Sequence, residues 1–209
     1  ALPRRIEGID ISNFQGAHSV GSLVCFIDGK AKRSQYRFFK IRDLEQPDDY
    51  ASIKQVVHRR FRGLRERGEA FPDLLLIDGG KGQLSSAVEA LRELGIEKQP
   101  VLGLAKRFEE IFLPGQSNPV ILPKTSASLR LLQVLRDEAH RFALKNHREQ
   151  CATSTLTSIL NDVPGIGPKK RNALLVAFGS VKRIAQTPAK EIAAIPGFST
   201  QQATDLIAH

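Results

Sequence analysis

Short apolar runs and period-two alternation dominate the first part of the chain, and longer stretches with apolar residues three or four apart follow. The first pattern predicts three consecutive strands, Ile6 to Ser12, Val20 to Asp28 and Lys32 to Ile41, with Asp28-Gly29 as a tight turn between the last two. From about Asp48 to Arg67 the apolar positions Tyr50, Ile53, Val56, Val57, Phe61 and Leu64 fall at helical spacing, after an acidic start suited to a helix N-terminus. A buried strand, Leu74 to Asp78, a helix from about Gln83 to Leu94 ended by Gly95, and a strand from Val101 to Ala105 form a β-α-β unit, which must be parallel and right-handed. Ile111 to Leu113 and Val120 to Leu122, joined through Pro114-Gly115, read as a small hairpin. A long helix from about Ser128 to His147 follows.

Three of these elements carry a group able to bind a metal. Asp10 and Asp78 stand at the ends of apolar strands, and His140 lies on the long helix. Taken singly, an aspartate after a strand is often a turn former, and a histidine beside Leu135, Ala139 and Phe142 is often a packed core residue. The element order changes that balance. Strand-strand-strand-helix-strand-helix-strand-helix is an α/β arrangement with a mixed sheet and flanking helices, the order of the ribonuclease H-like nuclease fold. In that fold the first and fourth strands are neighbours, which would bring Asp10 and Asp78 together. Ile9 and Ile11 then point to one face and Asp10 to the other. Two carboxylates and an imidazole suit a hard divalent cation, Mg²⁺ or Mn²⁺, that activates water against a phosphodiester.

Asp78-Gly79-Gly80-Lys81-Gly82-Gln83 has the glycines of a phosphate loop without the spacing of a Walker motif, so nucleotide binding is the weaker reading. Lys81 is a candidate contact to a backbone phosphate, or a residue that merely solvates a helix start.

After Cys151 the sequence becomes rich in threonine and serine, and a repeat begins. Val163-Pro164-Gly165-Ile166 recurs as Ile195-Pro196-Gly197-Phe198, and a helix-like segment follows each copy, Lys169 to Phe178 and Gln201 to Ile207. This is the pattern of a tandem helix-hairpin-helix, which makes the second domain small and all-α. Gly165 and Gly167 allow a tight turn whose amides face outward, and Lys169, Lys170 and Arg171 add positive charge there, a combination that grips phosphate without reading bases. The second copy keeps Gly197 but has Ser199 in place of the second glycine and no basic cluster. The expected boundaries are 1–151 for the first domain and 155–209 for the second.

With 31 Lys and Arg against 22 Asp and Glu, the formal charge is +9, which favours an anionic partner such as DNA. At 41% hydrophobic residues the chain can bury a core. Its two cysteines, Cys25 and Cys151, form no paired motif and read as reduced thiols of a cytoplasmic protein. No apolar run is long enough for a membrane span and no secretory signal is evident. Methionine is absent, so the chain is expected to begin inside a longer polypeptide.

The segments Ile6 to Gly16, Leu76 to Leu84, Gly103 to Glu110 and Arg136 to Ala143, in this order, resemble the C-terminal half of UvrC, the nuclease subunit of bacterial nucleotide excision repair. The resemblance covers essentially the whole chain. It implies a ribonuclease H-like endonuclease that cuts damaged DNA on the 5′ side of the lesion, with Asp10, Asp78 and His140 as its catalytic triad, followed by a helix-hairpin-helix module that binds double-stranded DNA. It also implies UvrB as a partner, bound through a segment outside this chain. Family members typically carry cysteine or another apolar residue where this chain has Gly8, a change expected to leave the metal undisturbed. The competing class is a DNA-binding module built on an inactive nuclease fold.

Overall fold

The computed structural model describes every residue except 1, 13–18, 43, 45, 107, 162–164, 180 and 209. It leaves the side chains of 147–161, 168, 171, 175, 181, 182, 207 and 208 undescribed as well. The Cys151 and Arg171 side chains, Val163-Pro164 and residues 13–16 therefore lie outside the described residues. The chain divides into two compact units, Ala1–Lys145 and Asn146–His209.

The first unit is a mixed sheet between two helical layers. Strand β1 (Arg5–Ser12) pairs antiparallel with β2 (Val20–Ile27), which turns through Asp28 (φ 49) and Gly29 (φ 75) into β3 (Lys30–Ala31). Two successive residues with positive φ are the signature of a type I′ hairpin turn, as the Asp-Gly pair predicts. The third predicted strand is not continuous. A 3₁₀ turn, Arg33–Gln35, interrupts it, and β4 (Arg37–Lys40) resumes pairing with β2. The interruption falls in Lys32-Arg33-Ser34-Gln35, a polar stretch with no apolar side chain to hold against the sheet.

Helix α1 (Asp49–Glu66) starts where the Asp48 carboxylate accepts from the backbone N–H groups of Tyr50 and Ala51. Strand β5 (Leu74–Asp78) then inserts parallel to β1, followed by α2 (Lys81–Glu93) and by β6 (Val101–Ala105) parallel to β5. Of the predicted excursion hairpin, only the first arm becomes a strand. Strand β7 (Glu110–Phe112) pairs antiparallel with β6, and the second arm contributes a single bridge, Val120 to Ile111. Apolar residues of α1 and α2, among them Val56, Phe61, Leu84 and Leu91, cover one sheet face with Ile9, Leu23 and Ile77. Leu129, Leu132, Leu135 and Ala139 cover the other with Ile6, Val24, Leu76 and Leu104.

Those four residues belong to α3 (Ala127–Asn161), which runs past the expected end near His147. The threonine- and serine-rich stretch after Cys151 does not break it, since neither glycine nor proline occurs between Ala127 and Asn161 to end the helix. Gly8 matters to how α3 sits. A Cβ built there would lie 2.1 Å from Leu135 Cδ2, so Leu135 occupies the space a side chain at position 8 would need.

In the second unit, α4 (Pro168–Phe178) and α7 (Thr200–Ala208) are the two predicted helices. The sequence reading missed α5 (Val181–Gln186) and α6 (Ala189–Ala193) between them. Each is too short to establish a helical period on its own. Ile166, Leu174, Ile184, Ile192, Ala203 and Leu206 form the core of this unit. Among the described residues no helix is long and apolar enough to cross a membrane.

Candidate active site

The parallel pairing of β1 with β5 sets Gly8 against Leu76 and Ile9 against Ile77, so the next residues, Asp10 and Asp78, meet at the carboxyl ends of two central strands. Asp10 is 6% exposed and accepts from the Ser12 hydroxyl at 2.9 Å. The Asp78 carboxyl is pushed up to about 7, first by burial and next by the Asp10 charge. Arg136 and Lys106 oppose that rise. The imidazole of His140, on α3, approaches with Nδ1 3.7 Å from Asp10 Oδ2. The three residues singled out from the sequence are thus neighbours.

Two glycines make this corner possible. A side chain at Gly103 would put its Cβ 2.9 Å from the Gly79 carbonyl oxygen, so β6 can lie close beneath the Asp78-Gly79-Gly80 turn only without one. At Gly82 a Cβ would come within 2.5 Å of the Tyr50 ring, which packs on the first turn of α2. The Gln83 side chain accepts from the Gly80 N–H at 3.1 Å, closing the helix start from within, so that amide is already engaged. Lys81 stands exposed on the first turn of α2, at the same edge of the sheet as the carboxylates.

His140 is held from both sides of its helix. Arg136, one turn earlier, donates from Nη1 to Glu109 Oε2 at 2.7 Å. Glu138 accepts from the Tyr36 hydroxyl at 2.9 Å and from Arg141 at 2.7 and 2.6 Å, while the Phe142 ring meets Tyr36 and Phe38 edge-on. Lys106, Glu109 and Arg136 were not singled out from the sequence as site residues. The spacing of Arg136 four before His140 was the available signal, since it places both on one helix face.

The donor chemistry suits a cation. Two adjacent carboxylates raise the cost of charging each other, which a divalent ion would offset. Ser22, directly opposite Asp10 in the β1–β2 register, is fully buried, and its hydroxyl has no hydrogen-bond partner among the described residues. As placed, however, no three His, Cys, Asp or Glu side chains among the described residues gather closely enough to enclose a metal. The fit rests on the carboxylate pair, with His140 at its margin.

In the second unit, Gly165 adopts φ +81, a conformation that favours glycine, and Gly197 likewise has φ +93. Gly167 has open space around it and Lys169 is exposed. Lys170 is half-buried: its ammonium donates to Gln202 Oε1 at 2.7 Å and lies 5.5 Å from the centre of the Phe198 ring. Ser199 caps α7, accepting from the Gln202 N–H at 3.2 Å while Gln202 Oε1 accepts from the Ser199 N–H. The second copy thus substitutes a cap for the missing glycine.

Residues 1–144 match the family model for the UvrC RNase H endonuclease domain, and residues 157–209 match that for a SAM-like helix-hairpin-helix tandem. The chain belongs to the UvrC RNase H endonuclease domain family. It is 51% identical over 196 residues to the UvrABC system protein C of Chlorobium chlorochromatii, a match covering 94% of this chain and 31% of that protein. To that of Salinibacter ruber it is 48% identical over 200 residues, covering 94% and 32%. The chain therefore spans about a third of the length of these relatives. Among solved structures it is similar to human ENDOV, with 14% identity and a TM-score of 0.48 over 72% of this chain and 87% of that one.

Proposed function

We propose that this chain is the part of a UvrC-type repair nuclease that hydrolyses a phosphodiester on the 5′ side of a DNA lesion, with Mg²⁺ or Mn²⁺ held by Asp10, Asp78 and His140. The observation that carries this reading is the meeting of Asp10 and Asp78 at the ends of two parallel strands, together with the match to an endonuclease domain family. A divalent cation at that pair would supply Lewis acidity toward the phosphoryl oxygens and toward water. The chain's own residues do the rest. The carboxylates must both be ionised to hold the cation. The half-exposed imidazole of His140 is open to solvent and able to accept a proton from water or to join the ligand set. Lys106 and Lys81 are positioned to oppose charge on the phosphate.

The domains follow 1–151 and 155–209, and the second binds the DNA backbone through the Gly165 to Gly167 turn, Lys169 and Arg171, with the Gly197 turn as a weaker second grip. Lys170, tied to Gln202, supports that turn more than it contacts phosphate. Damaged duplex DNA is the substrate, UvrB the partner that presents it, and the bacterial cytoplasm the place of action. Asp10→Asn or Asp78→Asn should abolish metal-dependent cleavage of a UvrB-loaded damaged duplex while DNA affinity stays within about twofold. Cleavage that survives both changes would falsify the assignment, and a parent chain that binds DNA but never cuts would make this an inactive nuclease fold used for binding.

A further inference from the structure

The turn between β6 and β7 is built to be held. Glu109 adopts φ 56, a left-handed conformation that is unfavourable for a residue with a side chain. Its carboxylate reaches across to α3 and accepts from Arg136 Nη1 at 2.7 Å. Arg136 is 7% exposed, and its remaining donors go to Asp137 Oδ1 at 3.0 and 2.9 Å, on its own helix. Glu109 is therefore the contact that ties this guanidinium to a different element.

Both ends of the tie lead to the site. Lys106 directly follows β6, whose Leu104 pairs with Asp78. His140 stands one helical turn beyond Arg136. We propose that Arg136 is a positioning residue for cleavage, latching the turn that carries Lys106 to the helix that carries His140. The inference rests on the endonuclease reading above and adds to it the device that sets the distance between a phosphate-facing lysine and the imidazole. The sheet is held separately from the latch, because Leu104 pairs with Ile111 and Ala105 with Glu110 through the backbone and not through either side chain. Loss of the tie should thus loosen the turn at Glu109 and leave the strands in place.

The test compares Glu109→Gln, Arg136→Gln, Arg136→Lys and the double Glu109→Gln/Arg136→Gln in the whole chain, against the parent cutting a UvrB-loaded damaged duplex. Misplacing a catalytic group by about 1 Å can cost on the order of 100-fold. Glu109→Gln is expected to lower kcat about tenfold or more, with KM, DNA affinity and thermal midpoint near those of the parent. The double should fall no further than the worse single, since both weaken the same tie. Arg136→Lys keeps the charge and should recover only part of the rate. An unchanged kcat in Glu109→Gln, losses that multiply in the double, or full rescue by lysine would each overturn the latch. Hydrogen exchange gives an arm independent of activity. Amides of Phe108 and Glu109 should exchange at least about tenfold faster in Glu109→Gln, and an unchanged pattern sinks the latch whether or not the parent cleaves. A parent that does not cleave sinks the endonuclease reading instead.

Discussion

At the scale of single residues, the Asp78 carboxyl is the most informative group. In an unfolded chain an aspartate titrates near 3.9, whereas here burial and the Asp10 charge push it to about 7. Below pH of about 4 the group is protonated in both states and contributes no difference. Between about 4 and 7 the unfolded chain releases its proton while the folded one keeps it, so stability falls as pH rises, and above about 7 the full cost is present. Asp78→Asn removes that cost. With divalent ions chelated, the variant should unfold at higher urea than the parent at pH 8, by on the order of 2 kcal/mol once partial exposure is allowed for, and the two should converge near pH 4. Added Mn²⁺ should stabilise the parent more than the variant, because only the parent offers both carboxylates. A parent as stable as the variant at pH 8 without metal would mean that the carboxyl is not held in this strained state. The positions of Asp10 and Asp78 were legible because strand alternation and parallel pairing depend on pattern alone. Arg136, Glu109 and Ser22 were not, because their roles depend on a turn tip, a buried guanidinium and a cross-strand register that no periodicity encodes.

Among the elements, long runs with a strong period came through and short or polar ones did not. Strands β5 and β6 match their expected bounds, and α1 and α2 lie within two residues of theirs. The third strand broke at Arg33–Gln35, and α5 and α6 went unseen, because a single turn carries too few apolar positions to show a phase. Helix α3 raises a question of fit that only packing answers. Gly8 gives up its side-chain space to Leu135, which is fully buried, so a cysteine at position 8 must displace that leucine's methyl group. Gly8→Cys alone is expected to cost about 1–3 kcal/mol by overpacking, and Leu135→Ala alone about 2–5 kcal/mol by cavity formation. The double variant should lose less than the sum by about 1 kcal/mol or more, since the new thiol fills part of the vacated space. Strictly additive losses in a denaturant series would show that the two positions do not share a volume.

For the molecule as a whole, the proposed reading divides the work between the two units, cutting in the first and gripping DNA in the second. Two lysines, adjacent in sequence, would then separate phosphate binding from structural support. Lys169 is exposed, while Lys170 points into its own unit toward Gln202 and Phe198. Lys169→Ala should therefore weaken DNA binding about equally for all sequences and reduce the slope of log affinity against log salt by about 0.9, one phosphate contact's worth on a B-form duplex. Lys170→Ala should leave the slope nearly unchanged and lower the melting temperature of the second unit, since it leaves Gln202, which also approaches the Gly165 carbonyl at 3.5 Å, without its cation. Removing residues from about Thr155 onward takes away every hairpin contact at once. That truncation should lose several units of salt slope while Asp78 retains its elevated titration, because both carboxylates belong to the first unit. Titrations of a labelled duplex across a range of salt, run in parallel for the three variants, decide the matter. If Lys170→Ala lowers the slope as much as Lys169→Ala, the ammonium must swing out to the DNA, and the inward contact to Gln202 belongs only to the unbound protein.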